Sequence, residues 1–290
     1  MTTVSPVESP LSWVGGKYVS AKRILAAFPP PHVYGTYCEV FGGAAHVLVR
    51  KQKERHLEVY NDLNGDLINF WMIARDHTQE IQERIDTLPY SRMLYHRYRD
   101  SLNDQTTMDE VERAARWFYV LRCSFGGGPD FSNGWAYTVN QHENLRAHSL
   151  RTATALLAKV AERFHEVQIE HQDFETLIKA YQTPRTMFYA DPPYIGCESY
   201  YTVEGMPPFT RDDHERLARL LNATPALVAL SYYEHPLLDD LYPASRWRRM
   251  TWSQSKAIEK TRGRRQMGQE VLLMNYVPTL GGLWHNEEAI

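Results

Sequence analysis

Apolar positions along the 290-residue chain follow two periods that take turns. Short runs rich in β-branched and aromatic residues read as strands at 37–41, 57–62, 167–171, 186–191, 226–231, 247–251 and 270–277. Stretches with apolar residues at helical spacing follow several of them: 44–53 after the first, 65–75 after the second and 211–222 after the fourth. Strand–helix–strand alternation predicts parallel strands joined by right-handed crossovers, an α/β doubly wound layer. Ligands in such sheets bind at the carboxyl ends of the strands. The chemistry is therefore expected just past Phe41, Asp62, His171 and Asp191.

Between 76 and 164 the alternation stops. Helical patterns cover 76–87, 91–102, 108–122 and 145–164, and a Gly-, Asn- and aromatic-rich loop at 123–140 separates the last two. This predicts a main domain formed by 1–75 and 165–290, with an inserted, mainly helical subdomain at 76–164. The last two strands are expected to form a hairpin at the sheet's edge, with 256–265 as a mobile projecting loop.

Composition narrows the class. A 43% hydrophobic and 12% aromatic content is ample for a core and too high for a disordered chain. No run approaches the roughly 18 apolar residues needed to span a bilayer, mean hydropathy is −0.49, and residues 1–10 lack a basic-then-apolar signal pattern. A soluble, cytoplasmic protein without membrane contact is expected. Cys38, Cys123 and Cys197 are scattered and odd in number, and the 12 histidines form no HExxH or tight cluster, so no disulfide framework and no metal site is expected.

The net charge of −3 says little about partners, but its distribution does. Between Arg246 and Arg265 stand eight basic residues and the single acid Glu259, a net +7 that leaves about −10 for the rest of the chain. Two readings are open at this point, a solvated face and a phosphate-binding stretch.

Three motifs carry chemistry. Asp191-Pro192-Pro193-Tyr194 directly follows an apolar strand, and a chance match in this length is roughly one in a thousand. Its prolines fix the backbone and remove two N–H donors, so a carboxylate and carbonyls are presented rigidly beside an aromatic face. That suits a planar base bearing an exocyclic amino group. Glu39-Val40-Phe41-Gly42-Gly43-Ala44-Ala45 ends the first strand with small residues that let backbone approach a ligand. About 20 residues further on, Asn61-Asp62-Leu63-Asn64 ends the second strand, where an acid can accept from a ribose. Trp13-Val14-Gly15-Gly16-Lys17 is not a phosphate-binding loop of the Walker type, because Leu11 and Tyr18 stand where glycine and Ser/Thr are required.

Together these motifs resemble the Dam-type adenine-specific DNA methyltransferases, over residues 11–276. Trp13 and Lys17 match the family's W-x-G-G-K, Glu39 to Ala45 its E-P-F-x-G-x-G, and Asp173-Phe174 its Asp-Phe pair beside the cofactor adenine. Asp191 to Tyr194 match D-P-P-Y, Ser231-Tyr232-Tyr233 resembles S-N-Y, and 262–276 resembles the final basic hairpin. The resemblance implies a Rossmann-like methyltransferase sheet and a cofactor, S-adenosyl-L-methionine, held by Trp13, Lys17, Glu39, Phe41, Gly43, Asp62, Asp173, Phe174 and Asp191. It implies catalysis by Asp191, Pro192, Pro193 and Tyr194 on an adenine flipped out of duplex DNA. The insert would read the target, and Arg122, Arg262, Arg264 and Arg265 would contact DNA.

The partner implied is double-stranded DNA and the state a monomer or weak dimer. Val40 replaces the family's proline, Ala45 its last glycine, and His46 stands where a small residue is common; packing or solvation suits His46 better than a ligand role. The loop 122–137, with Phe125, Phe131 and Trp135, has the composition of either a DNA-facing segment or a packed aromatic loop. An RNA adenine substrate, a cytosine amino target and a DNA-binding protein with vestigial methylation are the alternatives. The chain carries no mark that separates a restriction-modification, phage or housekeeping role.

Overall fold

The computed structural model describes residues 7–104, 108–127, 134–139, 145–201, 205–261 and 264–278, and only the backbone where these fall within 255–266. Its strands are β1 (Thr36–Glu39), β2 (Leu57–Asn61), β3 (Val167–Glu170), β4 (Thr186–Ala190), β5 (Leu227–Tyr233), β6 (Arg248–Thr261) and β7 (Arg264–Met274). They form one sheet in the order β3-β2-β1-β4-β5-β7-β6. The first five are mutually parallel, with Cys38 in register with Val59 on one side and Phe188 on the other. β7 enters antiparallel to β5, and β6 closes the edge.

β4 is buried along its whole length, as a strand covered on both faces must be. Its side chains alternate between two cores. Phe188 and Ala190 join Val40, Leu177, Leu217 and Val228 on one face. Met187 and Tyr189 join Tyr37, Tyr60 and Trp71 on the other. The strand order reverses between β1 and β4, which opens a crevice at their carboxyl ends.

The helices are α1 (Ala21–Ala26), α2 (His46–Arg50), α3 (Gly65–Asp76), α4 (Thr78–Asp86), α5 (Arg92–Asn103), α6 (Glu110–Cys123), α7 (Leu145–Ala155), α8 (Leu157–Phe164), α9 (Phe174–Tyr181), α10 (Arg211–Ala223) and α11 (Leu237–Leu241). Asn64 starts α3 where the sequence suggests, its side chain accepting from the Asp66 and Leu67 amides. The single helix expected over 145–164 is two, broken at Leu156. The helices α4 to α8 do not bury a core of their own. Phe70 of α3 stacks on Phe118 of α6 with ring centroids 5.3 Å apart, and Trp71 stacks on Phe164 of α8 at 4.6 Å. Residues of both stretches belong to the core beneath Tyr60 and Tyr189.

The expected projecting loop at 256–265 is replaced by two long strand arms. Ser253, Ser255, Lys260 and Thr261 pair with Gln269, Met267, Arg265 and Arg264, with a register irregularity between Ser255 and Lys260. A ladder satisfies the backbone donors and acceptors of this stretch, which a free loop would leave to water. Arg262 lies outside the described residues, as do the side chains of Arg264 and Arg265. Among the described residues, no helix is long and apolar enough to cross a membrane, and no group of three or more metal-ligating side chains is found.

Candidate active site

The crevice at the strand ends is lined by Trp13, Lys17, Glu39, Phe41, Gly43, Asp62, Asp173, Phe174 and Asp191. Every residue that the sequence suggested for the cofactor thus borders one cavity. The turn after β1 needs its glycine: a Cβ on Gly42 would lie 2.1 Å from the Tyr60 ring. The ends of β1 and β2 are then tied together. Gly42 N donates to Asn61 O at 2.7 Å, Gly43 N donates to Asp62 Oδ2 at 2.9 Å, and Tyr60 Oη donates to Gly43 O at 2.6 Å. Asp62 also accepts from Asn64 N through Oδ1. Burial lifts its carboxyl above the ordinary aspartate range despite these bonds.

β4 ends at Ala190, so Asp191 is the first residue past the sheet. Its Oδ2 lies 2.7 Å from Lys17 Nζ, which also donates to Gly15 O at 2.7 Å. Burial works against the Lys17 charge, but Asp191 and Glu270 outweigh it and hold its pKa above the usual lysine value. Glu270 Oε1 stands 3.6 Å from Lys17 Nζ and accepts from Tyr194 Oη at 2.9 Å. Two carboxylate oxygens here, Asp191 Oδ1 and Glu270 Oε2, are buried and have no hydrogen-bond partner. Burial pushes Asp191 up to about 6 and the neighbouring Glu39, bonded to Tyr37 Oη, up to about 8.

Across the cavity, Phe41, Phe174 and Phe209 form a ring of aromatics with centroids 5.6 to 5.9 Å apart. Asp173 caps α9 through the Glu175 amide and pairs with Arg216, whose guanidinium lies 4.2 Å from the Phe174 ring centre. An aromatic cluster beside buried carboxylates offers a face for a planar ring and negative charge for a cation.

This arrangement of an Asp-Pro-Pro-Tyr turn and a strand-end cavity has counterparts among known proteins. The model of the D12 class N6 adenine-specific DNA methyltransferases matches residues 13–258. The chain belongs to this family. It is 30% identical over 254 residues to the type II methyltransferase M1.LlaDCHI of Lactococcus lactis subsp. cremoris, covering 79% of this chain and 82% of that protein. It is 24% identical over 230 residues to the modification methylase StsI of Streptococcus sanguinis, covering 76% of this chain and 34% of that protein.

Within this D12-class chain, the position where Ala45 replaces a glycine has a backbone consequence. Ala45 is the one non-glycine residue at positive φ among the described residues, at 54°. A left-handed alanine is strained by about 1–2 kcal/mol, partly offset by the extra freedom glycine has when unfolded. Ala45→Gly is therefore expected to raise stability by about 0.5–1 kcal/mol in urea unfolding. An unchanged or lower midpoint would show that the turn is unstrained. His46 beside it is buried against Gly16, and burial pushes its pKa down to about 3. It is packed there and also borders the cavity, with Nδ1 buried and unpartnered.

Other residues sit elsewhere than expected. Pro193 lines the cavity, whereas Pro192 and Tyr194 are buried behind it. Arg122 is half-buried at the end of α6, where Nη1 donates to Ser12 Oγ at 2.8 Å and Nη2 to Ser149 O at 3.0 Å. It braces the helical stretch against the segment leading to Trp13. Trp135 packs on Tyr90 and Tyr95, whereas Phe125 and Tyr137 are exposed. Phe131 lies outside the described residues. Among the cavity and network residues without a site reading in the sequence are Tyr201, Phe209, Arg216 and Glu270. Glu270 left one trace, an acid leading into the apolar run 271–274.

Proposed function

We propose that this chain transfers the methyl group of S-adenosylmethionine to the exocyclic amino group of an adenine flipped out of duplex DNA at a specific sequence. The observation that carries this reading is Asp191 Oδ1, a buried carboxylate oxygen without a partner at the edge of the cavity. A buried acceptor left open is costly unless a ligand completes it. An amino group does so.

The cavity also fits the cofactor. The Phe41–Phe174–Phe209 cluster offers an aromatic face to an adenine ring, Asp62 keeps a second lone pair on each oxygen for ribose hydroxyls, and Glu39 with Asp191 supplies negative charge for a cation. When bound, S-adenosylmethionine supplies a methyl group already activated as a sulfonium. Asp191 and the Pro192 carbonyl accept the two amino hydrogens, which favours a tetrahedral nitrogen as charge develops there. The Tyr194 ring stacks on the flipped base once Lys17 Nζ, 4.9 Å over that ring, draws aside, and the stacking contributes about 1–3 kcal/mol. One amino proton is lost once the methyl group has moved, through the Asp191 carboxylate to solvent, and the remaining work is alignment of amine and methyl. Residues 76–164 we assign to reading the target, and the β6–β7 arms to the DNA backbone. The two relatives are named as a type II methyltransferase and a modification methylase, and a role in host-DNA modification is the reading for this chain as well.

The test is transfer of labelled methyl from S-adenosylmethionine to unmethylated duplex DNA and, separately, to RNA, with mass spectrometry of the digested nucleosides. N6-methyladenine in DNA is the expected product. Label confined to RNA, to cytosine or to neither polymer would overturn the reading. A second expectation concerns pH. Glu39 and Asp191 hold protons up to about 8 and about 6, so a cation bound beside them displaces protons. Cofactor affinity should rise from pH 6 to 7.5, with proton release seen by calorimetry in buffers of different ionisation enthalpy. Binding without proton release would remove both carboxyls from the cofactor's surroundings.

A further inference from the structure

Glu270 belongs to none of the motifs that define the site, yet it joins three of its parts. It lies in β7, in register with Tyr233 of β5 and Trp252 of β6. It is 1% exposed, an unusual position for an acid inside a strand that continues Val271-Leu272-Leu273. Its Oε1 takes the Tyr194 hydroxyl at 2.9 Å and stands 3.6 Å from the Lys17 ammonium, itself bound to Asp191. The Tyr194 ring is also met edge-on by Tyr233 at 4.7 Å and lies 4.9 Å below Lys17 Nζ.

We propose that Glu270 is a positioning residue for the methyl transfer: it anchors the Tyr194 hydroxyl and shares Lys17 with Asp191, so that the tyrosine ring is held in one orientation and Asp191 keeps one oxygen open for the amine. This rests on the function proposed above. Tyr194 needs such an anchor because its hydroxyl is buried and a buried hydroxyl without an acceptor is costly. Without Glu270 the hydroxyl would fall to the Asp191 carboxylate, which is already within its reach, and would take up the oxygen meant for the amine. Lys17 would then be balanced by Asp191 and the Gly15 carbonyl alone, drawing the carboxylate toward itself. The carboxylate pair around one ammonium also leaves a net negative charge next to the amine that becomes cationic during transfer.

Three variants separate geometry from charge. Glu270→Gln keeps an oxygen acceptor for Tyr194 and removes the charge; Glu270→Leu removes both; Tyr194→Phe removes the hydroxyl alone. In single-turnover transfer to duplex DNA, Glu270→Leu and Tyr194→Phe should each lose roughly 100-fold, the usual effect of a small misplacement in a reacting pair. Their double variant should lose no more than either alone. Glu270→Gln should recover most of the rate, with the acid limb of its pH profile moved to lower pH, since one negative neighbour of Asp191 is gone. Losses that add in the double variant, or a glutamine variant as impaired as leucine, would overturn the proposal.

An arm independent of activity uses protein labelled with 3-fluorotyrosine. The Tyr194 resonance, assigned by its absence in Tyr194→Phe, should shift in Glu270→Leu and stay near its place in Glu270→Gln. If Glu270→Leu does not fold, Glu270→Ala takes its place in the cycle: a double-variant loss no larger than either single loss is expected, and additive losses count against the anchor. A wild-type protein inactive on every nucleic acid would sink the function reading, while the fluorine shifts would still decide whether Glu270 holds Tyr194.

Discussion

Asp191→Ala is expected to slow methyl transfer to duplex DNA by about 10²–10³-fold, the range found when one preorganised polar group at a developing charge is removed. The carboxylate is the first group past β4, is rigidly set by the two prolines after it, and has Oδ1 open. Alanine leaves the amine with the Pro192 carbonyl alone. The fold should survive, because Lys17 keeps the Gly15 carbonyl and Glu270 as partners. The measurement is single-turnover transfer at saturating cofactor, beside a thermal melt. Saturation matters because Asp191 also borders the cofactor cavity. A variant within tenfold of wild type and equally stable would take Asp191 out of the reaction.

Glu58→Ala should be the most destabilising single change away from the site. Glu58 is buried in β2 and accepts from Lys51 Nζ at 3.1 Å and from Arg163 Nη2 at 3.0 Å. Arg163 stands in the last turn of α8 and donates to the Leu48 carbonyl as well. One carboxylate thus pins the end of the helical stretch to the sheet and to α2. Alanine would strand two buried cations, and breaking a buried pair in this way costs about 3–5 kcal/mol. The urea midpoint should fall accordingly, with the transfer rate per folded molecule little changed. A loss below about 1 kcal/mol would mean that water or a local shift rescues both cations.

The site was legible in the sequence to the extent that its chemistry is local. Asp191 to Tyr194 could be placed because an apolar run stops at two prolines, and those events lie within a few residues. The Gly42-Gly43 turn and Asp62 could be linked because both end strands of one βαβ unit, whose geometry brings the ends side by side. Phe41 and Phe174 followed from the resemblance, but Phe209, the third ring of the cluster, sits in a segment with no period of its own. Arg122 looked like a DNA contact because an arginine beside glycines and aromatics has the same composition on a surface as in a brace. Only the approach of Ser12 and Ser149 distinguishes them.

The sequence by itself determined the seven strands in chain order, the helices that follow the first, second and fourth of them, and a site at the carboxyl ends of the strands. Each follows from periodicity and from the handedness of the crossover, which act over one strand–helix unit. The tertiary structure alone decided three further things. It extended the basic stretch into paired strands, because a ladder depends on a partner strand and not on the charges along one. It merged the helices α4 to α8 with the core of the sheet, because which face of a helix is covered depends on what lies opposite. And it brought Glu270 against Tyr194 and against Lys17, which lies near the other end of the described chain. A buried charge is stable only with its partners, and those partners are neighbours in space, where no local pattern records them.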